Sequence, residues 1–288
     1  HVRLGVLSPR GVMMVALEEE VPAFEADLAD AAMEEIAVAD ARTRVPILSD
    51  GVVRAALDEG ALDIDTDRLL QSYARVARQN GATLLTGAEA LRFEKGVAWR
   101  VTSSVGAIEA DIVVNAAGAW ADQVAVLAGV AAMGLQPYRR SMARLPAPGG
   151  HDVRRWPMLF GPGETWYAKP DAGNWIVSPA DEDPVAPMDA WADDMVLAEG
   201  IARYEAHVSE PVTRVESNWA GLRTFATDRA LVIGEAPDAL GFFWLAGQGG
   251  YGFQTAPAAA QLLADRVLGR TPSLPGVIAQ AFSPDRFA

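Results

Sequence analysis

The apolar stretch Phe242-Phe-Trp-Leu-Ala246 runs directly into Gly247-Gln-Gly249-Gly250-Tyr-Gly252. An apolar-periodic segment from Gln254 to Leu268 follows. No other feature constrains the fold as tightly. Five apolar residues bounded by glycine predict a buried strand, and the spacing after the glycines predicts a helix. A strand, a glycine turn and a helix in that order belong to an α/β architecture, in which helices cover a sheet.

The glycines fit G-x-G-x-x-G, and three readings compete. A dinucleotide fingerprint needs a second parallel strand after the helix, ending in an acid for the ribose. Here Arg270-Thr-Pro-Ser-Leu-Pro275 follows the helix and carries no strand pattern, which counts against an NAD-dependent dehydrogenase. A glycine-rich helix cap without any ligand is the plainer reading. In the third, the loop lies against a flat cofactor ring. Glycines let backbone approach such a ring closely, and a helix N-terminus offers free N–H groups and partial positive charge. Reduced flavin is negative near N1 and the C2 carbonyl, where such a terminus stabilises it.

Composition removes several other chemistries. The 288 residues carry a net charge of −14 with no basic run, which points away from nucleic acid and anionic lipid. The absence of cysteine excludes disulfides, thiol nucleophiles and a cysteinyl flavin link. The three histidines, His1, His151 and His207, form no metal-ligand spacing, and no metal is expected. No serine sits in a G-x-S-x-G elbow. No apolar run is long enough to span a bilayer. The expected location is cytoplasmic, with a peripheral place at the inner membrane face left open.

Other segments read as follows. Val12–Ala16 is a buried strand, and a helix beginning at Glu18–Glu20 puts Val21, Phe24 and Leu28 on one face. Glu35–Val38 is a strand, and Asp40 caps a short helix ended by Pro46. Asp65 or Thr66 caps a helix closed by Asn80-Gly81. Short strands follow at Thr83–Leu85, Leu91–Glu94, Val97–Val101 and from Ile108. The strand Asp111–Asn115 ends at Ala116-Ala-Gly118, and a helix runs from Ala119 to Ala131. Residues 135–181 suggest an antiparallel sheet, crossed by a helix near Trp191–Val208. Strand signals return at Val212–Ser217 and Ala230–Ile233. The tail after Gly269 is expected to be extended.

Two blocks carry a resemblance. Val113-Val-Asn-Ala-Ala-Gly-Ala-Trp120 is one. Trp219-Ala-Gly-Leu-Arg-Thr-Phe-Ala-Thr-Asp228, with Gly241–Gln254, is the other. Both resemble the D-amino-acid-oxidase-like FAD oxidoreductases, and within that family the bacterial D-arginine dehydrogenases, over residues 7–266. Shared phrases include Asp63-Ile-Asp-Thr-Asp67, Gly134-Leu-Gln-Pro137, Trp156-Pro-Met-Leu159 and Lys169-Pro-Asp-Ala-Gly173. The resemblance implies a mixed α/β fold: a glutathione-reductase-type FAD domain, incomplete at its N-terminus, interleaved with an antiparallel-sheet substrate domain. Residues 1–58 and 134–217 would form the substrate domain. Residues 59–133 and 218–270 would form the FAD domain, leaving 271–288 as a tail. It further implies oxidation of an amino acid's Cα–N bond to an imine, which water hydrolyses to a 2-oxo acid and ammonia.

Residue by residue, the resemblance makes Arg223 the clamp on the substrate carboxylate, Arg140 a second arginine facing the site, and Tyr167 a hydroxyl reaching that carboxylate. Gly250 and Gln254 fall near the amino group and flavin edge. Met158 and Phe160 fall in the side-chain pocket. Candidate FAD contacts are Ala117, Gly118, Trp120, Gly247, Gly249, Gly250, Tyr251, Gly252 and Gln254, with Ala90 near adenine. A lone arginine is ordinarily a surface charge and a lone tyrosine a core residue, so these roles rest on the resemblance. The resemblance implies a small-molecule amino-acid substrate and leaves the electron acceptor open between a quinone and oxygen.

Two departures stand out. Val12 occupies the position where the arginine-specific branch carries an acid for the basic side chain. An unpaired buried cation costs several kcal/mol, so basic substrates are not expected to be preferred, and Phe160 favours apolar or aromatic ones. The family's N-terminal βαβ unit, which grips the cofactor pyrophosphate, has no counterpart in these residues, so a sheet edge and apolar surface are expected to be open. The alternative to an enzyme is therefore a truncated, non-catalytic homologue, or one half of a split flavoenzyme acting as a partner-binding subunit.

Overall fold

The computed structural model describes residues 4–287. Its centre is a nine-stranded sheet. Across it lie Asp183–Pro184, Gln136–Leu145, Asn174–Ser178, Tyr167–Asp171, Met158–Phe160, Val12–Ala16, Arg54–Asp58 and Glu34–Ile36, with Ser217–Phe225 along the free side of Gln136–Leu145. Every pairing is antiparallel except Val12–Ala16 with Met158–Phe160. One face is sealed by a core of Met13, Leu57, Ala143, Leu159, Ala168, Trp175 and Val177, on which the helix Asp194–Ala206 packs through Leu197 and Tyr204. Alternation along each strand sends these residues to the core and their neighbours to the opposite face. That opposite face positions the site.

The strand predicted at Phe242–Ala246 runs over Ala239–Ala246 and lies between Val232–Ala236, antiparallel, and Val113–Asn115, parallel. Phe242 and Trp244 pack with Trp99 on one side. Phe243 meets Leu262 and Leu263 of the helix Gly252–Val267 on the other. A separate antiparallel sheet joins Ala90–Lys95, Trp99–Ser103 and Gly106–Ala110, as the turn signals predict. Leu7–Pro9 pairs with Leu62–Ile64. Asp65 caps Thr66–Gln79 by accepting from the Arg68 amide at 2.9 Å.

Several expectations are corrected. Thr83–Leu85 forms no strand: no neighbouring strand pairs with it, and Leu84 and Leu85 stand 57% and 51% exposed. The strand expected at Val212–Ser217 begins instead at Ser217 and continues to Phe225, because its nine pairings with Gln136–Leu145 outweigh its mixed composition. The helix from Ala119 shortens to a 3-10 turn, Gly118–Trp120, and Ala121–Leu127. Asp122 then accepts from the Met133 and Leu135 amides and holds the following chain extended. Asp40 lies inside the helix Val38–Arg44 and is not its cap, and the preceding strand is Glu34–Ile36.

The tail is not extended. Gly276–Ala281 is helical and Pro284–Phe287 a 3-10 turn. Ala279 and Phe282 cover Phe243 and Leu262, and the Ile233 amide donates to the Phe282 carbonyl at 2.8 Å. Burial of that apolar patch stabilises a segment whose local pattern is weak.

Candidate active site

Alternation along Gln136–Leu145 puts Tyr138, Arg140 and Met142 on the face away from the main core. Across the antiparallel ladder Tyr138 faces Arg223, Arg140 faces Gly221 and Met142 faces Trp219, so Arg223 and Trp219 share that face. The Tyr167 hydroxyl donates to Met142 Sδ at 3.3 Å and joins them. Tyr167 pairs with Phe160, and Met158, two residues earlier in that strand, pairs with Val12. The fold therefore gathers Arg140, Arg223, Tyr167, Met158, Phe160 and Val12 on one surface. Phe160 also packs partly into a small core with Met14, Phe24 and Ala56.

The electrostatics of this surface are unusual. Arg140 is 6% exposed, and its Nε is buried with no hydrogen-bond partner. Among the described residues neither Arg140 nor Arg223 pairs with an acid. Burial, and next the Arg223 charge, hold the Arg140 guanidinium below the usual arginine range, while Tyr167, Asp181 and Glu164 pull the other way. Two uncompensated cations beside an open face leave an anion-shaped demand. A planar guanidinium meets a carboxylate bidentately.

The glycine loop closes over this surface. A Cβ built on Gly250 would lie 3.0 Å from Arg223 Nη1, and one on Gly249 would lie 2.2 Å from Phe225 Cε1. The Gly249 amide donates to the Thr224 carbonyl at 2.9 Å. Gly247 and Gly249 have φ of +75° and +53°, which glycine adopts without strain. No side chain caps the helix Gly252–Val267 at Tyr251, and Gln254 is exposed in its first turn. Bare backbone and an uncapped helix terminus fit the negative pyrimidine end of an isoalloxazine.

The turn at Asn115–Trp120 has a local cause. Buried Asn115 accepts from the Ala117 amide at 3.3 Å and donates to the Ala121 carbonyl at 2.8 Å, folding the turn that carries Gly118 and Trp120. A cleft of about 360 Å³ separates Ala117, Gly118 and Trp120 from Gly221 and Leu222 of the arginine-bearing strand. Ala90 opens the antiparallel strand Ala90–Lys95, in a different sheet from the arginines. Met142, Phe225 and Glu164 were not singled out by sequence. The first two share the two-residue periodicity of Arg140 and Arg223, which was the available signal.

Solved oxidases and dehydrogenases share this fold. The glycine oxidase from Geobacillus kaustophilus superposes with a TM-score of 0.81 at 20% identity, over 98% of this chain and 76% of its own. The L-proline dehydrogenase from P. horikoshii superposes at 0.79 with 23% identity, over 99% and 79%. At such identities the likeness shows the fold: mixed helix and sheet, of the FAD-dependent oxidase kind. The chain belongs to the FAD dependent oxidoreductase (DAO) family, whose model matches residues 3–266.

Among curated proteins it is 25% identical to the uncharacterized oxidoreductase YurR of Bacillus subtilis, over 83% of this chain and 64% of that protein. It is 28% identical to the tRNA 5-methylaminomethyl-2-thiouridine biosynthesis bifunctional protein MnmC of Caulobacter, over 97% and 45%. The chain thus spans less than two thirds of these relatives. No helix among the described residues is long and apolar enough to cross a membrane.

Proposed function

We propose that these residues form the substrate face and ring-side loop of an enzyme that oxidises the Cα–N bond of a D-amino acid or related amine. The imine released is hydrolysed by water to a 2-oxo acid and ammonia. The observation that carries this reading is the buried, unpaired Arg140 beside Arg223, under the bare backbone of Gly249 and Gly250.

In this reading Arg223 holds the substrate carboxylate bidentately, and Arg140 and the Tyr167 hydroxyl complete the grip. Fixing the carboxylate fixes Cα, so its hydrogen points toward the loop side. Gly247, Gly249, Gly250, Gly252 and the N-terminus at Tyr251 and Gln254, with Ala117, Gly118 and Trp120, would hold the isoalloxazine, and Ala90 would serve the adenine. FAD, when bound, supplies the two-electron acceptor. A substrate amine bound neutral needs no histidine base. Val12, Met158 and Phe160 give the side-chain pocket an apolar lining, so D-leucine and D-phenylalanine should outperform D-arginine. Residues 1–58 and 134–217 serve the substrate, and 59–133 and 218–270 the flavin, with the Ser217–Phe225 strand as the seam.

The test uses the full-length protein. Purified, it should absorb near ~450 nm and bleach anaerobically on addition of a D-amino acid. A colourless protein, or one bleached by no amino acid or amine, overturns the reading.

A second reading has its own observation. The strand Val113–Asn115 stands at a sheet edge with Val114 exposed, and Leu70, Tyr73, Leu84 and Leu85 are exposed as well. An open edge beside apolar surface invites pairing. In this reading the residues act as a partner-binding subunit, and mixing with a separate nucleotide-binding chain should restore flavin binding.

A further inference from the structure

Met142 stands where the arginine strand meets Tyr167. It follows Arg140 by two residues on the same strand face and lies opposite Trp219 in the ladder. Its Sδ accepts the Tyr167 hydroxyl at 3.3 Å, and among the described residues that hydroxyl has no other acceptor.

The chain carries eight methionines, and their surroundings differ. Met13 and Met14 are fully buried and Met133 is 8% exposed, whereas Met195 is 70% exposed. Met33, Met142, Met158 and Met188 are partly exposed. Of these four only Met142 has a hydroxyl bonded to its sulfur. A face that admits an amino acid also admits hydrogen peroxide, which is smaller.

The charges on this face favour oxidation of the sulfur. The thioether lone pair attacks one peroxide oxygen, the S–O bond forms and the O–O bond breaks. Sulfur gives up two electrons. The departing hydroxide takes the proton left on the transferred oxygen and leaves as water. Negative charge grows on the departing oxygen, and Arg140 and Arg223 share the face without acidic partners. Fixed cations stabilise such charge without reorganising. The product's oxygen, itself partly negative, is favoured by the same two groups.

We propose that Met142 is a site of oxidation by hydrogen peroxide, and that its sulfoxide draws the Tyr167 hydroxyl away from the substrate carboxylate. The second half rests on the reading of Tyr167 as part of the carboxylate grip. A thioether is a weak acceptor, whereas the sulfoxide is polar and presents an oxygen. That oxygen competes with the carboxylate for one donor. The grip therefore loses what deletion of the hydroxyl would lose, and a methionine sulfoxide reductase restores it.

The test exposes the full-length holoprotein to millimolar hydrogen peroxide and maps its peptides by mass spectrometry. Met142 should gain one oxygen no later than Met195, with Met13 and Met14 unchanged. D-Lactate, a carboxylate with only a methyl side chain, should then bind tenfold or more weakly by calorimetry, about the contribution of a charge-assisted hydrogen bond. Reductase treatment should reverse the loss. Tyr167→Phe should bind D-lactate as weakly as the oxidised wild type, and oxidation should weaken it no further. In Met142→Leu the affinity should not respond to peroxide. Without any ligand, oxidation should lower Tm more in Tyr167→Phe than in wild type, because only the wild type can donate a hydroxyl to the sulfoxide.

Met142 that stays reduced while Met195 is converted overturns the inference, since burial alone gives that order. A converted Met142 that leaves D-lactate affinity at its starting value overturns it as well. If the reduced protein binds no D-lactate, the carboxylate grip falls, and the peptide map and the Tm comparison alone decide the oxidation site. If D-lactate binds and peroxide spares Met142, the grip stands and the oxidation site falls.

Discussion

Gly250 and Arg223 are in contact: a Cβ on the glycine would sit 3.0 Å from the guanidinium Nη1 and 3.1 Å from Cζ. The ring-side loop and the anion clamp therefore share one surface. Gly250→Ala should displace the guanidinium by a few tenths of an ångström. KM for a carboxylate substrate should rise about tenfold, with a smaller change in kcat, because orientation is lost more than chemistry. Arg223→Met should raise KM further. A Gly250→Ala enzyme with unchanged KM would separate the loop from the clamp.

Gly249 faces a harder limit. Its φ is +53° and an added Cβ would fall 2.2 Å from Phe225 Cε1. Gly249→Ala should cost about 1–3 kcal/mol of stability, the range for overpacking. Adding Phe225→Leu should recover part of the loss, and thermal denaturation of the single and double variants measures the coupling.

Tyr167 donates its hydroxyl to a thioether, a weak acceptor easily exchanged for a carboxylate. Tyr167→Phe should raise KM about tenfold or more, since a hydrogen bond to a charged group contributes about 1.5–3 kcal/mol. Met142→Gln offers a stronger competing acceptor and should raise KM in the same direction while leaving kcat near wild type. Steady-state kinetics on both variants decides whether the hydroxyl serves the substrate.

Asp228 and Arg286 tie the tail to the loop that precedes Val232–Ala236. The hydrogen bond from Arg286 holds the Asp228 carboxyl below the usual carboxylate range, helped by the Ala230 amide against partial burial. A depressed folded value means the stabilisation is present above the unfolded carboxylate pKa and is lost as pH falls through the folded value. The pair is partly exposed, so the effect should be about 0.5 kcal/mol. Asp228→Asn should lower Tm slightly at pH 7 and flatten its fall below pH 4.

The sequence made some of this legible and hid the rest for physical reasons. The strand, glycine turn and helix at residues 239–267 were readable because apolar continuity, bare glycines and helical spacing coincide there. Asp65 was readable as a cap because that is a local hydrogen bond. Ser217–Phe225 was obscured, since Asn218, Gly221 and Arg223 break the apolar pattern and its stability comes from a strand some eighty positions earlier (Arg223 faces Tyr138). The tail helix is held by contact with Phe243, which no local window contains. In the site, Arg140 and Arg223 could be named from a resemblance. That both lack acidic partners, and that Tyr167 donates to the Met142 thioether, emerges only when the strands are brought together.

The Gly249 amide bonded to the Thr224 carbonyl has a mechanical consequence. Thr224 adjoins Arg223 in a strand hydrogen-bonded along its length to Gln136–Leu145. The loop is thus tied to the sheet by a backbone hydrogen bond. The height of the glycine backbone above the arginine plane is a fixed dimension of the scaffold, like the spacing of jaws machined from one block. Any flat ring resting on that backbone is indexed to the arginines before a substrate arrives.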